Sequence, residues 1–283
     1  MTIKTDTQAT TPDGIRLYAP HDFFGMERAG RLAAQILDDI ADHVVPGQTT
    51  ARLDELIQGW VEGAGATSAT IGYRGYQHAS CISVNHVVCH GIPGDKVLKD
   101  GDILNIDVTV IVDGWYGDSS RMYVAGTPSQ HALRLIQVTH DGLMLGIEAA
   151  RPGNTFGDIG HAIQTHVEAQ GMSVVRDFCG HGLGRVFHAP PNVLHYGRAG
   201  TGPRLEPGMF FTIEPMVNLG RAETVVLSDD WTAVTRDKSL SAQFEHSIGI
   251  TEQGAEIFTL SPAGRFHPTW GDGGGSTATA AGL

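Results

Sequence analysis

The sequence predicts an α+β protein of two similar halves whose sheets merge into one antiparallel sheet, with helices packed on one face. Three observations carry this. Periodic patterns follow one another along the chain as helices, strands, helices, strands. The pair Asp113-Gly114 lies between two strand-like stretches and signals a two-residue hairpin. The 283 residues, 41% of them hydrophobic, are enough to bury a full core in one large domain or two small ones. No repeated motif marks the halves.

The first twenty residues, rich in Thr, Asp and Ala without an apolar period, are expected to form a flexible extension, so the body starts near His21. Between Phe23 and Val45, residues Phe24, Ala29, Leu32, Ala33, Ile36, Ile40 and Val44 recur at helical spacing until Pro46-Gly47. A second helix is expected from Thr50 to Val61, capped by Thr49 or Thr50. Strands follow from about Ala69 to Val124, interrupted by the turn Gly91 to Asp95. Two further helices, near His131 to Ala150 and Phe156 to Gln170, lead back into strands. The folded body is placed at 21–265. Residues 266–283, ending in GDGGGSTATAAGL, are expected to be a disordered tail, because Gly, Ser, Thr and Ala bury too little to fold.

A net charge of -12 argues against broad attraction to nucleic acid or anionic membrane. The chain has no 18-residue apolar run, and its polar start lacks the hydrophobic stretch of a secretory signal. Cys81, Cys89 and Cys179 are too few and scattered for a disulfide framework and form no CxxC pair. A cytoplasmic location is expected.

Chemistry concentrates in four segments. In DILNIDVTVIVDGWYGDSS the hairpin sets Val112 opposite Trp115 and Thr109 opposite Asp118, with Asp107 on the same face two residues away. Side chains placed so can converge on one ion or on a pair of ions about 3.5 to 4 Å apart. The plainer reading makes Asp107 a solvated strand residue and Asp118 a turn residue, but a lone carboxylate inside ILNIDVTVIV would be costly. In FCGHGLGRVFHAPP, glycines flank His181 and let the backbone approach a ligand closely, and His188 follows seven positions later. A Gly-rich loop with a satisfied histidine is the alternative there. The segments MFFTIEPMV and SAQFEHSIGIT each carry one acid, Glu214 and Glu245, in an apolar strand. Pairing with Arg121 or Arg185 is the structural alternative. With 19 basic against 31 acidic residues, it strains to cover all four acids.

In this order and at these separations, CISVNHVVCHGIPG, NIDVTVIVDGWYGDSS, GHGLGRVFH, FTIEPMVN and SAQFEHSI resemble the type I methionine aminopeptidases of the pita-bread metallopeptidase family, over most of residues 22 to 260. The resemblance implies the pita-bread fold and five metal ligands: Asp107, Asp118, His181, Glu214 and Glu245. Asp118 and Glu245 would bridge two divalent ions, Asp107 would chelate one, and His181 and Glu214 would complete the other. The family's two unligated histidines fall on His90 and His188, and its methionine pocket on Tyr73, Tyr76, Cys81, Phe187 and Trp231. The implied reaction is removal of an initiator methionine that precedes a small residue, by a metal-activated water, with Glu214 moving the proton. An oxygen-rich set with one histidine suits cobalt, manganese or iron, or zinc without thiolates.

Implied partners are peptide or nascent-chain N-termini, and the ribosome enters as a further one, although the extension lacks the cysteine-rich zinc-finger pattern of some relatives. A monomer is expected. Competing readings are an Xaa-Pro aminopeptidase or dipeptidase of the same fold, and a non-catalytic peptide-binding protein. A Cys89-His90 nucleophile is set aside because adjacent strand residues point to opposite faces. The chain departs from the family pattern at Ala189 and Pro190, where an acidic pair is usual, and at His86, where a glutamate is common.

Overall fold

The computed structural model describes residues 9–265; the segment 1–8 and the tail expected over 266–283 lie outside them. Four helices alternate with antiparallel strands in the predicted order. Helix α1 (Phe23–Asp39) runs into a 3₁₀ turn at Ile40–His43, and α2 (Thr50–Gly63) is capped by Thr49, whose hydroxyl accepts the Arg52 N–H at 3.2 Å. Met26, Ala29, Ala33, Ile36 and Leu37 form the buried face of α1. Phe24 is a correction: it lies on the outer side of the first turn, 67% exposed. Helix α3 (Gln130–Ala149) and helix α4 (Phe156–Ala169) follow, α4 opened by a Thr155/Asp158 capping box.

The hairpin forms as expected, strand Asp102–Val112 pairing Trp115–Ala125 with Val112 opposite Trp115 and Thr109 opposite Asp118. Asp113 and Gly114 both have positive φ, 49° and 76°, which matches the twist of a tight two-residue loop. Strand alternation then divides the labour of the Asp102–Val112 strand. Leu104, Ile106, Val108 and Val110 enter one core with Ala33, Leu37, Leu53 and Ile57 of α1 and α2. Asn105, Asp107 and Thr109 face the other way, which explains an acid in an otherwise apolar run. Both faces are buried.

In the second half, Leu135, Leu143, Ile159 and Ile163 of α3 and α4 share a core with Phe211, Ile213 and Ile248. The last two strands of the chain, Gly254–Ile257 and His246–Thr251, head a five-stranded sheet continued by Phe210–Ile213, Gly180–Gly182 and Ala189–Val193. The halves join along the hairpin. Glu245 N–H donates to the Ser120 carbonyl at 3.0 Å, Ser119 Oγ to the Glu245 carbonyl at 2.8 Å, and Ser247 Oγ to the Asp118 carbonyl at 2.6 Å. These bonds fix Asp118 and Glu245 relative to each other through the backbone.

The expected flexible extension is corrected over its described part. Ile15 is 2% exposed, Tyr18 stacks on Phe210 with ring centroids 4.3 Å apart, and Tyr18 N–H donates to the Gly208 carbonyl at 2.8 Å. Its apolar residues are too sparse to show a period, yet they fill the edge of the second core. Among the described residues no helix is long and apolar enough to cross a membrane.

Candidate active site

All twelve site residues expected from the sequence line one cavity of about 650 Å³. Ligand atoms of Asp118, His181 and Glu245 lie within 4.8 Å of one another at its floor, and Asp107 and Glu214 line the same space. Asp118 Oδ2 is 3.4 Å from His181 Nε2, and Glu214 Oε1 is 3.8 Å from the same nitrogen. Thr109 Oγ1 donates to Asp118 Oδ1 at 2.7 Å, using the cross-strand pair set by the hairpin register. Thr212 Oγ1 donates to Glu214 Oε1 at 2.8 Å and Gln243 Nε2 to Oε2 at 3.3 Å. Asp118 and Glu214 are thus aimed by side chains of neighbouring strands.

Among the described residues no guanidinium pairs with this cluster. Arg121 pairs with Asp38, while Arg185 donates to the Asp113 carbonyl at 2.7 Å and lies over the Trp115 ring at 4.0 Å. Burial, and then the neighbouring acids, push Asp107 and Glu245 well above the usual carboxylate range. Burial and Asp118 raise Glu214 to about 7, against the opposing influence of His181 and Thr212. His181 itself is raised: burial disfavours its charged form, but the hydrogen bond that its ring donates to Asp118 and the charge of Glu214 outweigh that. A set of acids that cannot all ionise together, converging on one imidazole, fits divalent cations, which restore the ionised forms. The residues present fit the metal implied by the motifs.

The glycines beside His181 have a different role from the one expected. A Cβ on Gly180 would lie 2.3 Å from the Thr212 carbonyl oxygen, and one on Gly182 would lie 2.2 Å from the Pro190 carbonyl oxygen. They allow the His181 strand to sit between its neighbours, rather than exposing backbone to a ligand.

Around the cluster stand the two remaining histidines and the aromatics. His188 lies 4.1 Å from the His181 ring and stacks on Tyr73 at 5.2 Å. The surrounding protein and the nearby His181 push it down to about 4, so its ring is neutral at pH 7. His90 is lowered by burial. His90 follows the Val87–Cys89 strand in a left-handed conformation, φ 56°, and meets Phe178 edge-on at 5.5 Å. That turn corrects the strand-alternation argument, since Cys89 and His90 both line the cavity. Burial and the charge of Glu214 hold the Cys89 thiol well above its usual value, so it is no thiolate nucleophile. Tyr76 and Trp231 meet at 4.9 Å and, with Cys81, wall a hole beside the cluster.

Several contributors carry no sequence signal. Phe178, Cys179, Met216 and Gln243 also line the cavity, and fully buried His195 accepts the Glu214 N–H from behind. All four lie inside the segments that carry the ligands, with nothing local to mark them apart from their neighbours.

The model of metallopeptidase family M24 matches residues 25–252. Over 257 residues, 90% of this chain and 99% of the relative, the chain is 55% identical to methionine aminopeptidase of Rickettsia prowazekii (strain Madrid E). It is 51% identical over 248 residues, 87% of this chain and 94% of the relative, to methionine aminopeptidase of Escherichia coli (strain K12). The crystal structure of methionine aminopeptidase from Rickettsia prowazekii superposes with a TM-score of 0.86 at 56% identity, covering 87% of this chain and 100% of that one. The chain belongs to metallopeptidase family M24 and has the pita-bread fold that its motifs implied.

Proposed function

We propose that this chain removes the N-terminal methionine from peptides and nascent chains whose second residue is small. The observation that carries the reading is the convergence of Asp118, His181 and Glu245 at the floor of a cavity walled by Tyr76, Cys81 and Trp231. The relatives at 51% and 55% identity carry the same activity in their names, which favours methionine over proline-directed cleavage. Retention of all five donors disfavours a protein that only binds peptides.

Two divalent ions would be held by Asp107, Asp118, His181, Glu214 and Glu245. When bound, they supply Lewis-acid polarisation of the scissile carbonyl and acidify water. The protein does the rest. The hole of Tyr76, Trp231 and Cys81 takes the methionine thioether, a contact worth about 0.3 to 1.5 kcal/mol per aromatic ring. Neutral His188 donates a hydrogen bond to the carbonyl oxygen as negative charge grows there, and His90 contacts the scissile amide nitrogen. Glu214, held by Thr212 and Gln243 with a pKa near neutrality before ions bind, receives a proton from water and returns it to the leaving amine. The catalytic body acts as a monomer in the cytoplasm, where nascent N-termini emerge.

Metal-loaded protein incubated with Met-Ala-Ser and with Ala-Pro peptides tests the reading. Free methionine released from the first, with the second left intact, is the expected result. Preferential cleavage of Ala-Pro moves the chain to the proline class, and cleavage of neither contradicts an aminopeptidase.

A further inference from the structure

Arg74 is unused by the chemistry above, yet it is held firmly at the cavity. It sits in the tight turn Gly72 to Tyr76, closed by Gly72 N–H donating to the Tyr76 carbonyl at 2.7 Å and Tyr76 N–H to the Tyr73 carbonyl at 2.9 Å. Its backbone is left-handed (φ 47°, ψ 30°), a conformation uncommon for residues other than glycine and asparagine. The guanidinium lies over the Tyr73 ring at 5.4 Å, and among the described residues it makes no ion pair. Tyr73 stacks on His188 at 5.2 Å, and His188 lies 4.1 Å from His181. A ladder of rings therefore leads from the acid cluster to a positioned, unneutralised cation.

The rest of the lining does not cancel that charge. Ala189 and Pro190 stand at the cavity where the family pattern has an acidic pair. Outside the cluster, the carboxylate lining the cavity is Asp177, which accepts the Thr224 hydroxyl at 2.6 Å. A surface arginine is ordinarily a solvated charge with no role. Here the fixed turn, the ring beneath the guanidinium and the missing partner leave its forked donors ready for a carboxylate from outside the chain.

We propose that Arg74 selects substrates carrying a carboxylate at the third residue, two beyond the methionine removed. The inference rests on the proposed function. With the first side chain in the hole and its carbonyl at His188, an extended peptide advances about 3.3 Å per residue. The third residue then lies about 7 Å further out, alongside the Tyr73 ring that carries Arg74. The second residue must be small, so the third is the earliest that can bear an acid. Because the pair forms at an exposed rim, the preference is modest, about three- to fivefold, and weakens with salt.

The test compares kcat/KM of the metal-loaded full chain on amidated Met-Ala-Glu-Ser and Met-Ala-Lys-Ser. The wild type is expected to favour the Glu peptide by about three- to fivefold at low salt, and by less near 0.5 M salt. Arg74→Asn, which keeps a residue tolerant of the left-handed turn, is expected to bring the ratio to about one, and Arg74→Glu to invert it. The ratio is insensitive to a general loss of activity. Equal rates in the wild type, or a preference that survives Arg74→Asn, overturn the inference and leave the methionine reading standing. Release of methionine from neither peptide overturns both.

Discussion

His195 lies directly behind Glu214, its Nε2 accepting the Glu214 backbone N–H at 3.0 Å. The Phe210–Ile213 strand ends one residue earlier and Pro215 follows, so this N–H has no place in the sheet ladder. Burial depresses His195 to about 3, so the ring is neutral, and accepting at Nε2 puts its proton on Nδ1. Removing the acceptor while keeping apolar bulk, in His195→Leu, should lower metal affinity about 10- to 100-fold. His195→Gln, which keeps an acceptor at similar reach, should restore most of it. Calorimetric titration with manganese, with thermal midpoints measured in parallel, separates this from simple destabilisation. Equal affinities for the Leu and Gln variants would remove His195 from any role in positioning Glu214.

Metal and protons should compete for the acid cluster. Asp107, Glu214 and Glu245 have folded-state pKa values raised above their unfolded values. The metal-free fold therefore keeps protons that the unfolded chain has lost, and its stability falls as pH rises from the ordinary carboxylate range through about 7. Cations displace those protons and cancel the loss. His195 and His246, lowered by burial, act with the opposite sign, withdrawing stability as pH drops below about 6.5. That term is common to both forms. The gap in thermal midpoint between manganese-loaded and chelated protein should thus widen from pH 5 to pH 8. A gap that stays constant or narrows would contradict a cluster of suppressed carboxylates.

The parts of this architecture legible in the sequence are those with a local physical cause. Asp113-Gly114 sets the hairpin register because few residue pairs accept two successive positive φ values, and the register places Asp118 beside Thr109. Asp107, Glu214 and Glu245 stand out because each is an acid in an apolar run, although only Asp107 lies within a strand and the two glutamates fall just outside strand ends. The rest depends on distant partners. Gly180 and Gly182 look like ligand-loop glycines until the neighbouring strands show what a Cβ would strike. Arg74 and His90 owe their positions to left-handed turns that residues of their type seldom adopt, so nothing local announces them. His195 is one histidine in an irregular segment, and its role exists only once the strand end at Ile213 lies against it.

Glycine substitutions should separate close packing from helix propensity. A Cβ on Gly117 would lie 2.2 Å from the Ala29 carbonyl, where α1 crosses the hairpin, and neither backbone can yield without moving the other. Gly117→Ala should cost about 1 to 3 kcal/mol in urea unfolding. Gly59, inside α2, would meet nothing within 4 Å. Gly59→Ala should instead stabilise by about 0.4 to 1 kcal/mol. If Gly117→Ala were neutral, the packing of α1 on the hairpin would be looser than the structure describes.

Trp231 tests whether the aromatic hole recognises the thioether. It meets Tyr76 at 4.9 Å and His90 edge-on at 6.1 Å. Its loop is pinned by Asp229, whose Oδ1 accepts the backbone N–H groups of Trp231 at 3.0 Å and Thr232 at 2.8 Å. Trp231→Ala removes one wall of the hole without touching a ligand donor. Sulfur–aromatic contact worth about 0.3 to 1.5 kcal/mol then predicts a loss of roughly twofold to tenfold in kcat/KM for Met-Ala-Ser. The loss should appear mainly in KM, because the wall acts on the bound side chain in ground and transition states alike. A norleucine-Ala-Ser peptide, which replaces sulfur with methylene, should lose less on the same substitution. Asp229→Ala, which frees the loop but keeps the ring, should shift KM in the same direction by a smaller factor. Equal losses for methionine and norleucine peptides would show that the ring supplies shape alone, and a loss confined to kcat would move Trp231 from the pocket wall to the chemistry at His90.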